Sequence, residues 1–124
     1  MKLLLDTHVV LWWRENSPRL GAGARKAIAK ADIAYVSVAS GWEVAIKISL
    51  GRLRIPGSFE EAVEESRFSK LPITFAHAAG IADLPFHHGD PFDRVLISQA
   101  QVEGLTIVTA DRKFEPYRPP LIWA

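Results

Sequence analysis

The chain contains no cysteine, which excludes disulfide bridges, thiol catalysis and cysteine-ligated zinc. It also lacks an excess of charge of one sign: fifteen basic residues nearly cancel fourteen acidic ones, leaving a net charge of +1. A strong, uniform field for nucleic acid is therefore excluded, although a local basic patch is not. No apolar run reaches the length needed to cross a bilayer, and Asp6 interrupts the N-terminal hydrophobic stretch before it could act as a signal peptide. The expectation is a soluble cytoplasmic protein with no membrane association. Internal repeats, low-complexity tracts and linkers are missing too, and 124 residues suit one compact domain spanning 1–124.

What is present begins with Leu3-Leu4-Leu5-Asp6. Leucines without a polar break read as a strand buried on both faces, the kind found in parallel sheets covered by helices. Ligands in open α/β sheets sit outside the carboxyl ends of the strands, so Asp6 is placed where a site is expected. Further strands are expected at Ile33 to Val38 and Leu105 to Thr109, with edge strands at Leu71-Pro72-Ile73 and Leu121-Ile122-Trp123. A short helix is expected to open at Val9 and a cationic one to run from Gly21 to Ala31. Ser40 is expected to cap a helix that stops at Gly51, and Ser58 one that reaches about Phe68. Phe75 to Leu84 reads as helical. Asp90 and Pro91 open the most regular helix, which Gly104 ends. Strands alternating with helices predict an α/β fold, a three-layer α/β/α arrangement around a central parallel sheet.

Four acids fall at element junctions: Asp6, Glu43, Asp93 with Asp90 beside it, and Asp111. Asp6 and Asp111 each follow a central strand; Glu43 and Asp93 are each expected in the first turn of a helix. Every one has a structural alternative. Asp6 could cap the next helix, Glu43 stands at capping-box spacing from Ser40 and four residues before Lys47, and Asp90 is an N-cap. Asp93 suits the helix dipole, and Asp111 could begin a turn before Arg112-Lys113. Considered together they require more. Two carboxylates about 4 Å apart repel by roughly 4 kcal/mol at an effective dielectric near 20, so a cluster needs protons or a cation. In a chain without cysteine, Mg²⁺ or Mn²⁺ is the fitting ion, and such ions activate water against phosphodiesters.

The stretches Leu3-Leu4-Leu5-Asp6-Thr7-His8, Ser40-Gly41-Trp42-Glu43-Val44-Ala45-Ile46-Lys47, Asp90-Pro91-Phe92-Asp93-Arg94 and Thr109-Ala110-Asp111 resemble those of a PIN-domain ribonuclease, specifically a VapC-type toxin of a type II toxin–antitoxin pair. The resemblance covers the chain in order. It implies metal-dependent cleavage of RNA with an acidic quartet at Asp6, Glu43, Asp93 and Asp111, the Mg²⁺ or Mn²⁺ being held chiefly by Asp6 and Asp93. Asp90 is the competing acid beside Asp93, and Thr7 offers a hydroxyl near the ion. The resemblance also implies a small VapB-type antitoxin that covers the site, and a homodimer.

Around the acids, Lys47, Arg94, Arg112 and Lys113 are candidates for RNA backbone contacts or ordinary surface. Trp12, Trp13 and Trp42 are candidates for base stacking, with core or interface the favoured alternative. His8, His77, His87 and His88 lack a clear zinc spacing, and His8 is expected to line the site without binding the ion. Two rival classes remain. A Mg²⁺-dependent small-molecule phosphatase would want a second aspartate where His8 stands, and a non-catalytic PIN-like binding module would not need all four acids.

Overall fold

The leucine run becomes the middle strand of a five-stranded, all-parallel sheet in a computed structural model that describes residues 1–124. The strands are Lys2–Leu5 (β1), Ile33–Ser37 (β2), Ser69–Leu71 (β3), Thr106–Thr109 (β4) and Leu121–Trp123 (β5), ordered β3-β2-β1-β4-β5. Six helices accompany them: Thr7–Arg14 (α1), Ala22–Lys30 (α2), Val38–Ser49 (α3), Phe59–Glu65 (α4), Phe75–Ala82 (α5) and Pro91–Glu103 (α6), with a 3₁₀ turn at Arg112–Tyr117.

Side chains of a strand alternate between faces, and β1 uses both. Leu3 and Leu5 join one core with Val9, Val10, Ile28 and Val63, under α1, α2 and α4. Leu4 joins a second core with Leu96, Ile97, Ile107 and Phe114, under α6 and the 3₁₀ turn. Each fully buried leucine contributes about 1.5–3 kcal/mol, which explains a run with no polar break. The result is the expected α/β/α layering.

Several boundaries follow from single residues. Asp90 accepts hydrogen bonds from the amides of Phe92 (2.9 Å) and Asp93 (3.2 Å), Pro91 starts α6, and Gly104 ends it in the left-handed conformation at φ 68°. The N-terminus of α3 differs from expectation. Ser37, not Ser40, is the cap, its hydroxyl accepting from the Ala39 amide at 3.0 Å. The strand therefore passes into the helix without a loop, and Ser40 is buried inside it. Glu43 consequently lies in the second turn rather than the first, and its capping-box explanation falls away. α4 also stops earlier than expected, at Glu65, because Arg67 turns back at φ 61° and delivers Phe68 to the core. At the sheet edge β3 ends before Pro72, which has no N–H for the ladder.

The chain proceeds from β1 outward to β2 and β3, then returns to build β4 and β5 on the other side. The order reverses between β1 and β4, so a crevice is expected outside their carboxyl ends. No helix is long and apolar enough to cross a membrane.

Candidate active site

Asp6 stands at that crevice. Its amide extends the β1 ladder by donating to the Val108 carbonyl at 3.0 Å. Its side chain is 7% exposed. One carboxylate oxygen accepts from the Thr7 amide (2.7 Å) and the other from the Thr109 hydroxyl at the end of β4 (2.7 Å). The same hydroxyl accepts from the Asp111 amide at 2.9 Å. Thr109 thus ties together the two acids that follow β1 and β4. Asp111 also caps the 3₁₀ turn through the Lys113 amide at 2.9 Å, so its structural alternative is realised while its place beside Asp6 is kept.

Glu43 reaches the crevice from α3. Its Oε1 accepts the Thr7 hydroxyl at 2.7 Å and its Oε2 lies 3.4 Å from the Lys47 ammonium, one helical turn on. The Thr7 hydroxyl expected beside an ion is therefore engaged with Glu43 and orients that carboxylate. Asp93 enters from the first turn of α6 and is 7% exposed. Its Oδ2 is buried without a hydrogen-bond partner, a costly state for a charged group. Burial first, then repulsion from Asp90, Asp6, Asp111 and Glu43, pushes the Asp93 carboxyl up to about 8. Asp6 is likewise pushed up by burial; bonds from Thr109 and Thr7 and the nearby His8 oppose this, and Glu43 adds to it. All four predicted acids thus share one electrostatic neighbourhood, although they span residues 6 to 111.

Other predicted participants are placed differently. Arg94 is not free for a phosphate: its guanidinium donates to the Pro85 and Ile81 carbonyls and to the Tyr117 hydroxyl at 3.0–3.3 Å. Arg112 lies over the Trp123 ring at 4.1 Å and near Glu115, while Lys113 is exposed. Trp12 and Trp13 pack against the first core, whereas Trp42 is 56% exposed and meets Phe92 edge-on at 5.0 Å. His77 is buried between α5 and α6, bonded to Glu103 at 2.9 Å. Exposed His8 stacks near Trp12, and His87 lies edge-on to Tyr117. His88 approaches Asp93, its Nε2 3.9 Å from Oδ2.

Two contributors escaped sequence reasoning. Thr109 reads as an ordinary strand residue; its position two before Asp111, at the end of a central strand, was the available signal. His88 reads in sequence only as one of four histidines without a zinc spacing.

As now placed, no three acids or histidines form a closed cage for an ion. The chemistry of the set nonetheless fits one. The convergent groups are carboxylates and hydroxyls, the donors that hard divalent cations prefer, and the buried Asp93 carboxylate, with its Oδ2 unpartnered, carries a charge that such a cation would answer. Asp6, which follows β1, and Asp93, in the first turn of α6 and within electrostatic reach of Asp6, are the candidates to hold the ion, with Glu43 and Asp111 as auxiliaries.

The family profile of the PIN domain matches residues 3–118. Ribonuclease VapC22 of Mycobacterium tuberculosis is 32% identical over 123 residues, covering 95% of this chain and 93% of that protein. Among solved structures, FitAcB from Neisseria gonorrhoeae superposes with a TM-score of 0.69 at 20% identity, covering 98% of this chain and 96% of that one. VapBC2 from Rickettsia felis, bound to a DNA fragment from its promoter, gives 0.68 at 18% identity, covering 100% and 98%. At such identities the two structures speak for the fold.

Proposed function

Since this chain belongs to the PIN-domain family and, within it, to the VapC-type ribonuclease toxins, we propose that it cleaves RNA phosphodiester bonds using Mg²⁺ or Mn²⁺ held chiefly by Asp6 and Asp93. One observation carries the reading: a buried Asp93 carboxylate, its Oδ2 unpartnered, among four other acids. Such repulsion persists in a fold only if a proton or a cation answers it, and the family supplies the reason for the cation.

When bound, the ion would supply positive charge to the phosphate and make water a competent nucleophile at neutral pH. The chain's own residues do the positioning. The Thr109 hydroxyl fixes one oxygen of Asp6, the Thr7 hydroxyl fixes one of Glu43, and β1 and β4 supply rigid backbones for both threonine and aspartate. Lys47 balances part of the Glu43 charge at the rim. Exposed Lys113 is the better candidate for a phosphate contact now that Arg94 is committed to the fold. The cytoplasm is the compartment we propose for this activity, since a toxin of this kind meets its RNA there.

Partners follow from the same reading. An open groove of about 410 Å³, lined by Val36, Val38, Trp42, Phe59 and Val63 among others, runs along α3 and α4. It suits an apolar segment of a small VapB-type antitoxin. Trp42 touches Phe92, the neighbour of Asp93, so a chain in the groove passes close enough to offer the acids a basic side chain. Phe75, 95% exposed, and Phe86, 78% exposed, are apolar surface for the proposed homodimer.

The deciding experiment offers the purified chain with Mn²⁺ a structured RNA and a generic phosphate ester. The expected outcome is RNA cleavage that disappears with EDTA and in Asp6→Asn and Asp93→Asn. Ester turnover without RNA cleavage would instead make it a phosphatase, and inertness towards both a binding module.

A further inference from the structure

His88 sits in the loop 85–89 and is held from three sides. Its backbone N–H donates to the Tyr117 hydroxyl at 3.4 Å, and that hydroxyl donates to the His88 carbonyl at 3.2 Å. Its ring meets Tyr117 edge-on, with centroids 5.3 Å apart. Its Nδ1 accepts from the Asp90 amide at 3.2 Å. A ring nitrogen that accepts a hydrogen bond carries no proton, so the proton of the neutral ring is on Nε2. Nε2 is buried and has no partner; neither has Asp93 Oδ2, 3.9 Å away. The two unpartnered atoms of this corner are thus a donor and an acceptor facing each other, about 1 Å farther apart than in a typical hydrogen bond. Such contacts are commonly long in the free protein and tighten once the site is loaded.

We propose that His88 is a positioning residue: locked as the Nε2–H tautomer by the Asp90 backbone, it donates to the buried Oδ2 of Asp93 and leaves Oδ1 for the cation. It acts through Asp93 and is not itself a ligand, because the nitrogen facing the site holds the proton. A backbone amide thereby selects the tautomer and the tautomer orients the acid. The division of labour is that of carboxylates and imidazoles around bound metals, where loss of the outer partner weakens metal affinity about 10–100-fold. The inference rests on the reading of Asp93 as an ion-holding acid.

Two measurements on the full chain without RNA test it. Nitrogen-15 NMR of the histidine rings is expected to show His88 protonated on Nε2; a proton on Nδ1 would overturn the proposal. Mn²⁺ affinity, read by electron paramagnetic resonance, is then compared across variants. His88→Asn keeps an acceptor near the Nδ1 position and loses the donor, so Mn²⁺ binding is expected to weaken about tenfold or more. His88→Gln places an amide N–H near the Nε2 position and is expected to restore affinity to within about threefold. Thermal unfolding in EDTA serves as the control: a structural role alone would move that temperature and leave Mn²⁺ affinity unchanged, which contradicts the proposal. Asp93→Asn separates the two levels. If it abolishes Mn²⁺ binding while His88→Asn does not weaken it, only the role of His88 fails; if it leaves binding intact, the ion-holding role of Asp93 fails as well. Should His88→Asn not fold, the tautomer and the His88→Gln affinity still decide.

Discussion

Asp93 is the residue on which the electrostatics of the site can be read without any substrate. Its carboxyl is raised from the ordinary 3.8 to about 8, so between these values the native protein holds a proton that the unfolded chain has released. Native stability must then fall as pH rises through that window. In EDTA, the melting temperature is expected to drop between pH 5 and pH 8. A tenfold change in proton affinity is worth about 1.4 kcal/mol, so the part due to Asp93 is expected to be on the order of 5 °C in a domain of this size. Asp93→Asn should be the more stable protein at pH 8 and should show a flatter profile. Saturating Mn²⁺ should restore the wild-type melting temperature most strongly at pH 8, where the acids are ionised. A profile unchanged by Asp93→Asn would contradict this picture.

The elements show how much of the molecule is legible from residues alone. At α6 the local signals agree: Asp90 caps, Pro91 opens, Gly104 closes, and sequence reading finds both ends. At α3 they mislead, because Ser40 has the composition of a cap, but Ser37, at the end of β2, is placed to serve first. Choosing between two serines three apart needs the register of the sheet, a non-local fact. For the same reason the pairing of Thr109 with Asp6, across 103 positions, is invisible before the strands are ordered, whereas Asp6, Asp93 and Asp111 could be selected by their junctions. The dual nature of Asp90 can now be separated by experiment. Asp90→Ala is expected to lose about 1 kcal/mol with its cap. Asp90→Asn should keep the cap yet remove the nearest repulsive charge from Asp93, shifting the pH-dependent fall in stability to lower pH with little loss at pH 5. Thermal melts of both variants in EDTA across pH provide the check.

A second element-scale test concerns the α5–α6 contact that supports the helix carrying Asp93. A Cβ on Gly80 would stand 2.5 Å from the Ser98 hydroxyl oxygen, which donates to the His77 carbonyl at 2.6 Å in a fully buried position. Gly→Ala elsewhere in a helix gains roughly 1 kcal/mol; here overpacking should reverse the sign, at a cost of about 1–3 kcal/mol. Adding Ser98→Ala to Gly80→Ala should recover part of the loss. A stabilised Gly80→Ala would show that the helices separate more readily than their packing suggests.

At the scale of the molecule, one topological fact organises the chemistry. The strand order reverses between β1 and β4, so the acids following those strands, and the helices α3 and α6 that bring Glu43 and Asp93, open onto the same crevice. The near-neutral net charge of +1 is consistent with a protein whose attraction for a polyanion comes from a bound cation rather than from its own surface. The central claim is that these acids share an ion. The most direct test is a crystal of this chain grown with Mn²⁺ and measured for anomalous scattering at the manganese edge. The expected result is a peak in contact with the carboxylates of both Asp6 and Asp93, lost in Asp93→Asn. Carboxylates left without a peak between them, or manganese bound only elsewhere on the chain, would contradict it.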